Sequence, residues 1–108
     1  MFIIPFKEPS FWREQIELSG VIFILEFKWN ALNEFWVMNI YTGTNDPIIL
    51  GIKIVPDYIL LEQYTEAGRP AGDIVCQNIV GSQEGIGRFD MSQKFELVYY
   101  EAGELDAI

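Results

Sequence analysis

Residues 21–29, "VIFILEFKW", alternate with the period of two that belongs to a β-strand. Val21, Phe23, Leu25, Phe27 and Trp29 fall on one face, and Ile22, Ile24, Glu26 and Lys28 on the other. The first half is apolar on both faces, the second half on one. Elsewhere helical periodicity is nearly absent, and short β-branched and aromatic runs are separated by turn formers. The expected fold is all-β: a small antiparallel β-sandwich or barrel-like domain with at most one short helical turn, a single domain over residues 1–108.

"MFIIPF" reads as an opening strand that Pro5 confines to an edge or a bend, because proline has no amide hydrogen for a ladder. "FWREQIEL" is a second strand, and Ser19 and Gly20 then give a tight antiparallel hairpin into residues 21–29. "NALNE" turns the chain into "FWVMNIYT", so that Phe27, Trp29, Phe35 and Trp36 make an aromatic hairpin. Facing aromatic residues in such a hairpin stabilise it by about 0.2 to 1 kcal/mol per pair. Phe23, Leu25, Phe27, Phe35 and Val37 are the expected central core.

Residues 43–46 form a third hairpin loop before Pro47. Gly51 interrupts the next strand, where a glycine often marks a bulge. "DYILLEQY" is a helical turn or an irregular crossover, and "TEAGRPAG" a loop. "DIVCQNIV" is a strand, "GSQEGIGRFD" a long loop, and "KFELVYYEA" a final strand with Phe95, Leu97 and Tyr99 on one face. The acidic tail "GELDAI" is expected to fray.

Charge narrows the function classes. Net charge is -9, with six acids and four bases up to Pro56 and ten acids and three bases beyond it. An acidic chain repels a phosphate backbone, so nucleic-acid binding is not expected. Neither is a membrane: the longest apolar run, "VIFIL", is far below the roughly 18 to 20 residues of a span, and "MFIIPFKEP" lacks the marks of a signal peptide. One cysteine, Cys76, permits no internal disulfide and suits a reducing cytoplasm.

No catalytic, cofactor-binding or metal-binding constellation is apparent. Histidine, the usual general base near neutral pH and the commonest metal ligand, is absent. Glu62 and Glu66 would share a helical face, but Gly68 and Pro70 cut that helix short. Solvated carboxylates are the commoner outcome. Cys76 sits in an apolar strand and suits a buried inert thiol better than a nucleophile. Residues 81–87, "GSQEGIG", have neither spacing of a phosphate-binding loop. Trp12, Trp29, Trp36, Tyr41, Tyr58 and Tyr64 could build a sugar-stacking platform, although strand alternation favours a core role. A carbohydrate-binding β module is therefore the alternative function, and a small carboxylate enzyme a third.

The order of "FKWN", "FWVMNIYTGTNDPIILGIKIVPDYILLEQY", "GDIVCQN", "GIGRFD" and "FELVYY" resembles the small baseplate plug proteins of contractile-tailed phages, of the cyanophage type. The resemblance covers about residues 16–101. Asp46 stands where a glycine is expected and Ile54 where leucine is usual. The family implies a structural, non-enzymatic β protein without cofactor. It would close the distal end of the tail tube against baseplate hub, spike and tail-tube proteins until genome release, together with sister copies in a homo-oligomer such as a trimer. Its place would be the virion tail baseplate, after assembly in the host cytoplasm. An apolar excess in so small a chain suits surfaces buried only in an assembly. Ile22 and Ile24, opposite the core-facing Phe23 and Leu25, are the expected docking face.

Overall fold

The computed structural model describes residues 1–81 and 83–104. Ser82, within the glycine-rich loop, and the last four residues of the acidic tail lie outside the described residues. Seven strands form two antiparallel sheets: β1 (Phe2–Ile4), β2 (Phe11–Leu18), β3 (Val21–Asn30), β4 (Phe35–Thr42), β5 (Pro47–Lys53), β6 (Asp73–Asn78) and β7 (Phe95–Tyr100). The order is β2-β3-β4-β5 in one sheet and β1-β7-β6 in the other. The fold is a sandwich with open edges, not a closed barrel. No helix is present among the described residues.

The β2–β3 hairpin forms because Ser19 and Gly20 both take positive φ, 53° and 79°, the pair of left-handed residues that a two-residue turn between twisted strands requires. The turn fixes Leu18 opposite Val21, and every later pair follows to Phe11 opposite Lys28. Four loop residues then separate Asn30 from its partner Phe35.

That loop decides which face of β4 is inward. Paired residues share a face, and the partners of Trp29, Phe27 and Leu25 are Trp36, Met38 and Ile40. Trp36, Met38 and Ile40 are accordingly buried, while Phe35 and Val37 lie half-buried on the outer face. The expected core is corrected at these two positions. Phe23, Leu25 and Phe27 are core as expected, but their counterparts on β4 are the even-numbered residues, because a register one residue different exchanges the faces of a strand.

β5 holds its place through a bulge. Met38 pairs with Ile52 and Ile40 with Ile49, so three steps on β5 answer two on β4. Gly51 absorbs the extra residue at φ 80°, and its amide donates to Asn39 Oδ1 at 2.7 Å. Ile49 and Ile52 both reach the core as a result.

Residues 54–72 cross irregularly to the second sheet. Bridges of Pro56 to Cys76 and Ile59 to Val75 lay this segment along the outer edge of β6. Arg69 pins the crossover by donating to the carbonyls of Leu61 and Tyr64 at 2.8 Å and of Gly72 at 2.6 Å. Between the sheets a single cluster joins Ile4, Ile74, Cys76, Phe95, Leu97 and Tyr99 to the inner residues of β2 to β5.

Candidate functional site

The feature of the surface most suited to recognition is the outer face of the four-stranded sheet. At its centre stands Glu26 of β3, half-buried between Arg13 of β2 and Asn39 of β4, its neighbours in the ladder. Arg13 Nε lies 3.0 Å from Glu26 Oε2. Asn39 Nδ2 donates to Glu26 Oε1 at 2.8 Å, and the Tyr41 hydroxyl donates to the same oxygen at 3.2 Å. The guanidinium of Arg13 lies 4.6 Å from the centre of the Tyr41 ring and donates to Asn45 Oδ1 at 2.7 Å. With the Asn39 bond to Gly51, this polar band crosses all four strands. Charge-assisted and mutually satisfied, it holds the face in one geometry.

The band separates two apolar areas. Toward the Ser19–Gly20 turn lie Ile22, 46% exposed, and Ile24, half-buried between Gln15 and Tyr41. At the other end Phe11 is exposed and Phe35 and Val37 are half-buried, beside Lys28 and Lys53. Lys53 Nζ stands 4.8 Å from the centre of the Phe35 ring. The residues proposed from sequence for docking are thus on a free face, with Phe11, Phe35 and Val37 as an unforeseen second area. Cross-strand register, which one strand's alternation does not reveal, brings these residues together.

The aromatic hairpin serves mainly the interior. Phe27 and Trp36 are fully buried, Trp29 is half-buried, and the Trp29 and Trp36 rings meet edge to face at 5.5 Å. Phe6, which has no part in the ladder, inserts between Trp12, Phe27 and Trp36 at 5.0, 4.9 and 4.8 Å. Trp12 and Trp36, central to the sugar-stacking alternative, are therefore occupied in the core. Tyr58 is exposed, and Tyr41 belongs to the polar band.

Titratable groups offer little chemistry. Cys76 is buried beneath the crossover, and its thiol is pushed up to about 12 by burial, with a smaller contribution from Asp57. Glu62 and Glu66 are exposed. Glu14 points inward from β2 with Oε2 lacking a hydrogen-bond partner among the described residues. Burial raises its carboxyl above the usual range, partly offset by Lys7. Among the described residues no group of three or more His, Cys, Asp or Glu is placed to hold a metal.

A sandwich with a polar-banded open face suits assembly. The family model described as cyanophage baseplate Pam3 plug gp18 matches residues 1–102, a longer span than the motifs alone indicate. No curated protein matches the chain. The chain belongs to the cyanophage baseplate plug family.

Proposed function

We propose that this protein plugs the distal end of a contractile phage tail tube, contacts hub and spike, and gates the release of the genome. The match to the plug family over residues 1–102 carries the proposal. Two physical features support it. The net charge of -9 keeps the protein from adhering to the departing DNA. The outer face of the four-stranded sheet offers two apolar areas, Ile22 with Ile24 and Phe11 with Phe35 and Val37, each bordered by the polar band, and apolar area bordered by polar groups is what a subunit interface uses.

In this role the protein works by occupancy and release, with no enzymatic step and no cofactor. It is made in the host cytoplasm and incorporated into the baseplate, where Ile22 and Ile24 pack on a hub, a tube protein or a sister copy. Quantitative mass spectrometry of purified particles, with labelled protein located by electron microscopy, tests the role. A few copies per tail at the tube's distal end are expected, and absence from particles would refute it.

A further inference from the structure

The sandwich has four sheet edges, and they are not treated alike. A strand edge presents unpaired amides and carbonyls, which proteins block with proline, bulges, charges or cover. β1 is three residues long and is followed by Pro5. β5 begins at Pro47 and carries the Gly51 bulge. β6 is covered by residues 56–59 through the two bridges. β2 is eight residues long, in regular register from end to end, with no proline, glycine or bulge.

The exposed groups on β2 follow from its ladder. Trp29 N donates to Ser10 O at 2.7 Å, so Ser10 and Trp29 are a hydrogen-bonded pair. Such pairs alternate along an antiparallel ladder. The even-numbered residues from Trp12 to Leu18 bond to β3, and the amides and carbonyls of Phe11, Arg13, Gln15 and Glu17 point away from the sheet. Their side chains are all exposed.

We propose that this edge pairs antiparallel with β2 of a second copy of the chain, Gln15 opposite Gln15 across a two-fold axis, joining two four-stranded sheets into one. In this register Arg13 of each copy lies opposite Glu17 of the other. Glu17 has no ion-pair partner among the described residues, and the contact gives it one, so that the two-fold pair holds two such ion pairs. Trp12 falls opposite Leu18 on the inner face. One neighbouring register, Arg13 opposite Gln15, sets the two Glu14 carboxylates against each other. The other neighbouring register, Gln15 opposite Glu17, sets Arg13 against Ser19 and leaves Glu17 without a cation, so charge favours the pairing centred on Gln15. A ring built head to tail would need a second open edge, and the other three are blocked, which favours a two-fold pair over a three-fold one. Of the charges β2 carries, Arg13 and Glu17 are paired in this register, and inward-pointing Glu14 tempers the contact without blocking it.

The contact does not depend on where the protein sits in a particle, so its test is separate from that of the plug. Full-length protein is followed by sedimentation up to about 1 mM, where even a weak contact registers. A monomer–dimer equilibrium is expected. Gln15→Pro removes an amide that the monomer does not use, so circular dichroism should be unchanged while the dissociation constant rises at least about tenfold. Gln15→Cys should form a disulfide dimer on mild oxidation, because Cα atoms in such a pair stand about 5.5 Å apart, within disulfide range. Leu32→Cys, on an exposed loop, is the control, and buried Cys76 should stay silent. A chain monomeric throughout would overturn the proposal, as would dimerisation indifferent to Gln15→Pro or cross-linking no faster than the control. Should Gln15→Pro unfold the protein, the two cysteine variants decide alone. Loss of baseplate incorporation by Gln15→Pro in a chain that is always monomeric would assign the edge to another protein's strand, and would also overturn it.

Discussion

The Tyr99 hydroxyl stands 2.6 Å from Ser19 Oγ and accepts the Gly72 amide at 2.7 Å. One fully buried side chain of β7 thereby ties the three-stranded sheet to the β2–β3 turn of the other sheet and to the end of the crossover. Glu101 also accepts from Ser19. Gly72 is required here, since a Cβ would fall 1.9 Å from the Tyr100 carbonyl oxygen.

Tyr99→Phe keeps the ring and removes this junction. The Gly72 amide is left buried without its acceptor, which costs about 1 to 3 kcal/mol. Urea unfolding of the purified domain should show that loss with an unchanged m-value. An effect below about 0.5 kcal/mol would mean that the two sheets do not depend on the hydroxyl.

The β4 register makes a contrast between two phenylalanines. Phe27→Ala should destabilise by about 3 to 5 kcal/mol, because it opens a cavity among Phe6, Trp12 and Met38. Phe35→Ala, on the outer face, should cost about 1 kcal/mol or less. Equal losses would show that both faces of β4 are core.

Much of this architecture was legible from short-range chemistry. Ser19 and Gly20 announce their turn, Gly51 its bulge, and the alternation of residues 21–29 gives the inward face of β3 correctly. The inward face of β4 was not legible. Both its faces are largely apolar, and the choice rests on the four-residue loop that sets Asn30 opposite Phe35. Phe6 beneath three aromatic rings, and Tyr99 beside Gly72 and Ser19, depend on how one sheet lies over the other. No local pattern encodes that. For the outer face, sequence showed Ile22 and Ile24 but not Glu26 as the centre of a four-strand network, because its partners come from β2 and β4, on either side of its own strand.

Cys76 offers a test of the crossover as a cover. Its thiol is raised to about 12 by burial, so the neutral form is favoured in the folded state. The stabilisation from keeping it neutral is complete below the unfolded thiol's value, about 8.5, and is lost as pH rises toward 12. Native protein at pH 8 should react with a thiol reagent only at the rate of opening, whereas unfolded protein should react at once. Fast labelling of the native chain would show that residues 56–61 do not seal β6.

Ile22→Lys combined with Ile24→Lys should cost less than about 2 kcal/mol, because both residues sit on the outer face beside the polar band. Incorporation into tails should fall sharply while circular dichroism stays native. Unfolding of the isolated variant would place these isoleucines in the protein's own core and end their role in docking.

Retention of the packaged genome tests the central claim most directly. Particles assembled with and without this protein are incubated with nuclease, and the protected DNA is measured over time. If the protein closes the tail tube, particles lacking it should lose their DNA spontaneously, and adding the purified chain during assembly should restore protection. Particles that lack the protein, are otherwise complete and hold their genome as long as the wild type would contradict the account.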